Sequence, residues 1–166
     1  EPKLELTNIN TVIEELTKLI RETFPKTIQV TLELNRELPL VMADPNEIPQ
    51  ALLNLCVNAR DAMPDGGKLM FRTKTVDRMS LREYGEAKAE RYVCIEVSDT
   101  GIGMDESIQN RIFEPFFTTK ESRGTGLGLA VVYGIVKNHD GFIQVESTPM
   151  HGATFRLYFP VASSGE

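Results

Sequence analysis

Residues 45–63, PNEIPQALLNLCVNARDAM, carry the clearest helical pattern in the chain. Apolar side chains recur there every three or four residues, which predicts a helix with one buried face. These side chains are Ile48, Ala51, Leu52, Leu55, Cys56, Ala59 and Ala62. Asp44 stands before the stretch as an N-cap carboxylate, and Glu47 follows three residues later, as in a capping box. Pro49 lies one turn in, so the helix either bends there or begins later.

The opposite face of this helix is polar. Asn54 and Asn58 are four residues apart and project to one side, followed by Asp61. Asparagine is a poor residue for a helix interior because its amide competes for backbone hydrogen bonds, and lysine or glutamate would supply a solvated face better. Amide oxygens are neutral, hard donors that suit a Mg²⁺ ion whose charge is balanced mainly by phosphates. A solvated face and a metal–phosphate site both remain open at this point.

The segments around this helix predict a domain of mixed secondary structure. Helical spacing of apolar residues spans 8–24 and stops near Pro25, whereas residues 28–34 alternate with a period of two. Further strands are predicted at 40–43, 68–76, 92–98, 142–147 and 153–159, helices at 105–112 and 129–139, and a loop or weak helix at 77–91. The chain therefore fits an α+β fold, a two-layer sandwich with helices on one face of a mixed, mainly antiparallel sheet.

Length and composition narrow the class of protein. The 166 residues suit a single domain, with residues 1–7 as a connection to an upstream part and 161–166 as a tail. No apolar run approaches the roughly 20 residues needed to cross a bilayer. A net charge of −6 with scattered acidic residues argues against a nucleic-acid-binding surface. Cys56 and Cys94 lack motif spacing, which favours buried, reduced thiols and a cytoplasmic setting.

The segment from Asp99 to Gly103, Asp-Thr-Gly-Ile-Gly, places a carboxylate at the end of an apolar strand. The Gly-x-Gly that follows allows a base to approach the backbone closely. A carboxylate can accept a hydrogen bond from an exocyclic amine such as that of adenine. The same pattern taken alone is also compatible with a simple turn.

A second glycine cluster, Gly124 to Leu129, opens the predicted helix 129–139. Glycines before a helix N-terminus let several backbone N–H groups point at one anion, although such clusters are also common in flexible loops. The spacing fits neither the G-x-G-x-x-G fingerprint of dinucleotide-binding domains nor a P-loop, because no Gly-Lys-Ser/Thr follows.

The stretch Phe113 to Lys120, FEPFFTTK, lies between the two glycine segments. Its three phenylalanines fit either a small satellite core or the anchor of a lid that folds over a ligand. In the second case Lys120 and Arg123 would contact phosphates.

Taken together and in this order, the four elements resemble the histidine-kinase ATPase family, whose superfamily includes DNA gyrase, the heat-shock chaperone ATPase and the mismatch-repair ATPase. Residues 54–62 look like its asparagine box, and residues 99–103 like its first glycine box. Residues 113–120 resemble its phenylalanine box, and residues 124–129 its second glycine box. The resemblance covers residues 40–160 and implies a Bergerat-type ATP-binding fold. The continuation Arg-Asp-Ala-Met-Pro from residue 60 is most similar to nitrogen-regulation-type sensor kinases.

The resemblance also implies roles for individual residues. Asn58 would ligate Mg²⁺, Asn54 would support the phosphate side, and Lys120 would reach the terminal phosphates; these three would be the catalytic residues. Asp61 would organise the surroundings of metal and phosphate, and Asp99 would accept the adenine amine. The implied nucleotide contacts are Asn54, Asn58, Asp61, Asp99, Gly101, Ile102, Gly103, Lys120, Gly124, Thr125, Gly126, Leu127, Gly128, Leu129 and Thr154.

Two positions depart from the family pattern. Asp140, in His139-Asp140-Gly141, stands where His-Gly-Gly is usual, which concerns only the turn after a helix. Ala153 stands where threonine or serine is common. Neither departure affects an implied ligand contact.

The resemblance implies a kinase that holds Mg-ATP and donates its γ-phosphate to a histidine on a separate dimerisation hairpin, with a response regulator as the indirect partner. In the hydrolytic relatives a glutamate at the position of Asn54 activates water, and an amide cannot accept that proton. A serine-type protein kinase of the anti-sigma or mitochondrial kind, or a nucleotide-binding module without transfer activity, remains the alternative. We expect no contact with nucleic acid or membrane, and a monomer in isolation.

Overall fold

A five-stranded sheet organises the computed structural model, which describes residues 1–85, 87–114, 117 and 128–163. The chain runs in the order β1 (Glu5–Thr7), α1 (Ile9–Thr23), β2 (Ile28–Glu33), β3 (Val41–Ala43), α2 (Glu47–Asp61), β4 (Gly67–Asp77), a 3₁₀ helix (Arg78–Tyr84), β5 (Arg91–Asp99), α3 (Glu106–Gln109), α4 (Gly128–Asn138), β6 (Phe142–Ser147) and β7 (Ala153–Pro160). The strand order is β2-β4-β5-β7-β6. Among the strands of the described residues, only β2 and β4 pair in parallel, so the predicted mixed, mainly antiparallel sheet is confirmed.

The main core lies between the helices and one face of this sheet. Its fully buried members come from both layers: Ile13 and Ile20 of α1, Leu52 and Leu55 of α2, Val132 and Val136 of α4, and Phe71, Ile95 and Leu157 of the sheet. Side chains in a strand alternate between faces, so the odd-numbered residues of β5 and β7 enter this core. Burial of each large side chain stabilises the fold by about 1.5–3 kcal/mol.

The other face of the sheet carries a row of ion pairs. Glu33, Arg72, Glu96 and Arg156 lie directly opposite one another across β2, β4, β5 and β7. Glu96 is 5% exposed, and its carboxylate oxygens lie 2.9 Å from Arg156 Nε, 3.2 Å from Lys74 Nζ and 3.4 Å from Arg72 Nη1. Although burial raises the pKa of Glu96, the bonds from Arg156 and Lys74 outweigh it and lower that pKa below its ordinary value.

The connection between β4 and β5 covers the rest of that face. The 3₁₀ helix places Leu81 against Tyr92 and Cys94 in a second apolar cluster. Phe142 and Tyr158 stack within it, with ring centroids 4.6 Å apart. A region predicted as a loop or weak helix therefore includes a short 3₁₀ helix.

Three features differ in detail from the sequence prediction. Helix α2 begins at Glu47, so Pro49 lies in the first turn, where its missing N–H costs no hydrogen bond. The capping residue is Asn46 rather than Asp44, whose carboxylate instead accepts the N–H of Asn46 at 2.8 Å. Strand β1, which was not predicted, pairs antiparallel with β3.

Candidate nucleotide site

Helix α2 carries the predicted asparagines on a partly exposed face, while Leu55 and Ala59 turn inward. Asn54 Nδ2 donates a hydrogen bond of 3.2 Å to the backbone carbonyl oxygen of Gly128, the first residue of α4. Asn58 lies one turn further along α2 on the same side. The structure therefore brings Asn54 to the start of α4, where Gly128 and Leu129 stand.

Asp99 is the last residue of β5 and is 9% exposed. Its Oδ1 accepts the backbone N–H of Gly101 at 2.8 Å. Burial raises the pKa of Asp99 above its ordinary value, and backbone hydrogen bonds from Gly101 and Ala153 only partly oppose this effect. A buried carboxylate retains lone pairs beyond these bonds, so it can accept a further hydrogen bond from a ligand amine.

The glycines after Asp99 allow three chain segments to meet. Ile102 N–H donates to the carbonyl oxygen of Ala62, at the end of α2, over 2.9 Å. A Cβ added to Gly101 would collide with that same carbonyl. Gly103 adopts a φ of 68°, and a Cβ there would collide with the carbonyl oxygen of Thr148 in the β6–β7 connection. The Gly-x-Gly is thus required for the close approach of these two backbone carbonyls, while the predicted approach of a base stays a prediction.

Thr154 lies opposite Ser98 on the neighbouring strand, with 2.8 Å between their hydroxyl oxygens. Ala153, one residue earlier, is the partner of Asp99. Thr154, which the resemblance implies as a nucleotide contact, therefore lies one strand position from the partner of Asp99.

A cleft of about 300 Å³ opens beside the end of α2. Its lining includes Asp61 and Ile102, together with Pro25, Thr27, Arg60, Met63 and Pro64. Asp61 Oδ1 lies 3.4 Å from Arg60 Nε, and the Arg60 guanidinium lies 5.1 Å from the centre of the Phe24 ring. Arg60 therefore balances the Asp61 charge on the wall of the cleft.

The phenylalanine segment is described only in part. Phe113 and Phe117 pack against the main core, and the Phe113 ring centroid lies 5.4 Å from that of Tyr133 on α4. The predicted contacts Lys120, Gly124, Thr125, Gly126 and Leu127 lie outside the described residues. The core contacts of Phe113 and Phe117 are compatible with either interpretation of this segment.

Sequence reasoning missed one polar residue that shapes the site. Ser147 Oγ donates to the Gly152 carbonyl oxygen over 2.7 Å and accepts the N–H of Met104 over 2.9 Å. It thereby joins the end of β6 to the residue after Gly103. A lone serine in a strand gives no sequence signal for such a role.

Within the described ranges, no group of three or more His, Cys, Asp or Glu side chains is arranged to hold a metal ion. Over the same ranges, no helix is both long and apolar enough to cross a bilayer.

Comparison with known proteins identifies the family. Residues 43–163 match the model of the histidine kinase-, DNA gyrase B- and HSP90-like ATPase family. The sensor kinase CckA of Brucella abortus is 40% identical over 159 residues, covering 94% of this chain and 17% of that protein. NtrB of Klebsiella oxytoca, a sensory histidine kinase/phosphatase, is 33% identical, covering 93% of this chain and 43% of that protein. The chain thus spans less than half the length of either relative.

Two solved structures share the fold. The nucleotide-free catalytic domain of histidine kinase ThkA matches with a TM-score of 0.79 and 30% identity, covering 96% of both chains. Full-length ShkA in complex with AMPPNP matches with a TM-score of 0.81 and 26% identity, covering all of this chain and 33% of that one. The predicted resemblance and α/β sandwich are both confirmed. The chain therefore belongs to the histidine kinase-, DNA gyrase B- and HSP90-like ATPase family, as an ATP-binding catalytic domain of the sensor histidine kinase kind.

Proposed function

We propose that this domain binds Mg-ATP and donates the γ-phosphate to a histidine on a separate dimerisation hairpin of a two-component sensor kinase. The observation that carries the proposal is the Asn54 amide, which donates to Gly128 at the junction of α2 and α4. A carboxylate there could accept a proton from water, but an amide at neutral pH cannot. ATP would therefore be held until a protein nucleophile arrives.

Asp99 would select the base. Its buried carboxylate, already bonded to Gly101 N–H, would accept the exocyclic amine of adenine with a remaining lone pair. Guanine presents a carbonyl at that position, which would oppose the carboxylate. Gly101 and Gly103 would shape the purine pocket through the backbone that follows Asp99.

Asn58 would provide the side-chain oxygen for Mg²⁺. A neutral amide oxygen is a hard donor that suits an ion shared with phosphate oxygens and water. When bound, Mg²⁺ would neutralise charge on the phosphate chain. The absence of a dense acidic cluster among the described residues fits this mode of binding, because the phosphates supply most of the negative charge.

The transfer step would depend on positioning. An imidazole nitrogen of the acceptor histidine attacks the γ-phosphorus, the bond to the bridging oxygen breaks, and ADP leaves with the electron pair. Asn54, the backbone amides near Gly128 and Lys120 would hold the phosphates in line for this attack. The domain would act in the cytoplasm, within a larger membrane-bound or soluble sensor, with a response regulator downstream.

Neither histidine of this chain suits the acceptor role. His139 is 4% exposed, and both of its ring nitrogens are engaged in hydrogen bonds. His151 lies in the turn between β6 and β7 rather than on a helix. We therefore expect the acceptor on another polypeptide segment.

The test supplies Mg-ATP labelled at the γ-phosphate to the chain alone and then with the helical hairpin of the intact protein. We expect nucleotide binding without self-labelling or rapid hydrolysis alone, and acid-labile phosphate on the hairpin when it is added. Acid-stable phosphate on a serine would favour the serine-kinase alternative. Rapid phosphate release without a partner would favour a hydrolase, and binding without any transfer a regulatory module.

A further inference from the structure

We propose that His139 is a positioning residue that fixes helix α4 against helix α2 and so sets the geometry of phosphate transfer. This inference rests on the proposed transfer function. It starts from the ring of His139, whose side chain is fully buried directly after α4. Nδ1 lies 2.7 Å from the carbonyl oxygen of Ile135, and Nε2 lies 3.1 Å from the backbone nitrogen of Asp44. A carbonyl can only accept and an N–H can only donate, so the two partners fix the neutral tautomer with its hydrogen on Nδ1.

Asp44 accepts several hydrogen bonds that stabilise the start of α2. Its carbonyl oxygen accepts the N–H groups of Glu47 and Ile48, each at 3.2 Å. Its carboxylate accepts the N–H of Asn46 at 2.8 Å and that of Lys3, before β1, at 2.9 Å. The hydrogen bond to His139 thus connects the end of α4 to Asp44, whose carbonyl oxygen accepts the first N–H groups of α2. We call this connection a tie.

A second tie joins the same two helices near the phosphate side. Asn54 of α2 donates to Gly128, where α4 begins. Asp44 and Asn54 are ten residues apart, and Gly128 and His139 are eleven residues apart. The two ties lie at opposite ends of α4, so together with α2 they form a frame that restrains α4 at both of its ends. The helices run in opposite directions and pack against each other between the ties.

This frame limits how far α4 can slide along α2. In the proposed function the backbone at the start of α4 would contact the phosphates, so its axial position would set where the γ-phosphate is held. The buried contact between His139 and Asp44 lies at the opposite end of α4 from Gly128 and acts through the helix. Glu47 Oε1 also approaches Nδ1, but at 4.0 Å it is too far for a hydrogen bond. The direct partner of Nδ1 is therefore the carbonyl oxygen of Ile135, and that of Nε2 is the backbone N–H of Asp44.

The tie between His139 and Asp44 should affect phosphate transfer more than ATP binding. Adenine would be held by Asp99 on β5, which does not depend on the His139 tie. Loss of the tie should therefore reduce the transfer rate at saturating ATP by about tenfold, because misplacement of reacting groups is costly. The dissociation constant for ATP should change by less than about threefold.

Two amide variants provide the test. His139→Gln can place an oxygen near the Nε2 position and keep the acceptor for Asp44 N–H. His139→Asn reaches only the Nδ1 position and loses that bond. Both variants lose the ring and its edge contact with Phe159, at 5.9 Å between centroids, so they differ in side-chain length and in the acceptor for Asp44 N–H. Phe159→Leu removes the same contact while leaving the hydrogen bonds intact and serves as the stability control.

Transfer to the hairpin and ATP affinity are measured for all four proteins at a temperature where each is folded. We expect the Gln variant and Phe159→Leu to transfer near the wild-type rate and the Asn variant about tenfold more slowly. Equal transfer rates for Gln and Asn would overturn the proposal. If the Asn variant does not fold, a Gln variant slower than Phe159→Leu would overturn it. If the wild type transfers no phosphate, the proposed function fails instead. The role of His139 is then decided by the NMR chemical shift of the Gly128 amide, which we expect to change in His139→Asn but not in His139→Gln.

Discussion

The Asp99 carboxylate accepts the backbone N–H of Gly101 at 2.8 Å while remaining almost entirely buried. One oxygen of the carboxylate thus stabilises the turn between β5 and the glycine segment. The group keeps further acceptor capacity for a ligand. Structural support and the proposed base recognition would therefore depend on the same side chain, and a substitution can separate them.

Asp99→Asn should keep the bond to Gly101 through its amide oxygen but direct an NH₂ group at the adenine amine. We expect ATP binding to weaken by about 1–3 kcal/mol, the range for losing a charge-assisted hydrogen bond in a buried site. Isothermal titration with ATP and with GTP measures the effect, and the wild type should prefer ATP. Equal affinity of the wild type for both nucleotides would contradict the assignment.

The raised pKa of Asp99 predicts that ATP binding depends on pH. The adenine amine needs the ionised carboxylate, so ATP affinity should fall as pH is lowered through this raised pKa. The stability of the nucleotide-free domain should show the opposite trend. A raised folded-state pKa contributes stability that is present below the unfolded-state pKa and is lost as pH rises through the folded-state value. Asp99→Asn should abolish both dependences, which titration and denaturant unfolding at several pH values can check.

Asn58→Ala should lower the affinity for Mg-ATP but leave ATP binding without Mg²⁺ nearly unchanged. The side chain lies on the outer face of α2, so its removal leaves no cavity in the core. Gln50→Ala, an exposed position on the same helix, is the matched control and should bind Mg-ATP normally. If Asn58→Ala unfolds while its native fraction binds Mg-ATP normally, the asparagine is structural.

The elements with a clear hydrophobic period were predictable from sequence. The helices 8–24 and 45–63 and the strands that flank Asp99 follow from the spacing of residues such as Ile13, Leu52 and Ile95. Strand β1 was not predictable, because three residues with an exposed Leu6 show no period. Its position depends on pairing with β3, a contact between residues distant in sequence.

The candidate site was predictable where a motif requires a particular backbone. Gly101 and Gly103 could be recognised because only glycine permits the close approach found there. The contact between His139 and Asp44 could not, because it joins residues 95 positions apart through one backbone N–H. The roles assigned to Asn54, Asn58, Asp61 and Thr154 stay predictions.

Glu96→Gln should destabilise the domain by about 1–3 kcal/mol, because three cationic side chains would lose their shared buried counter-charge. Glu33→Gln, in the same row but 58% exposed, should have a much smaller effect. Chemical denaturation of both variants provides the comparison. The lowered pKa of Glu96 means that its contribution is present above the unfolded-state pKa and is lost as pH falls through the lower folded-state value. A similar loss of stability in both variants would show that the burial of Glu96 does not determine the size of the destabilisation.

The two thiols should be unreactive in the folded domain. Burial raises the pKa of Cys56 far above its ordinary value and raises that of Cys94 to about 12. Because the thiolate is the reactive form, neither residue should react with a disulfide reagent under native conditions at neutral pH. Both should react after unfolding in urea. Rapid modification of either thiol in the native protein would indicate local opening of the structure that buries it.

The single parallel pair, β2 with β4, has a consequence for the order of folding. The antiparallel neighbours β4–β5 and β6–β7 are each joined by one connection, so they can form between residues close in sequence. The β2–β4 pair cannot close until the intervening chain, including α2, has crossed over the sheet. Such non-local pairing carries a larger loop-closure entropy and slows folding. We therefore expect β4–β5 and β6–β7 to form before the non-local pairs β2–β4 and β5–β7. Because β2 is an edge strand with only one neighbour, substitutions at Val30 should chiefly accelerate unfolding and leave the folding rate almost unchanged.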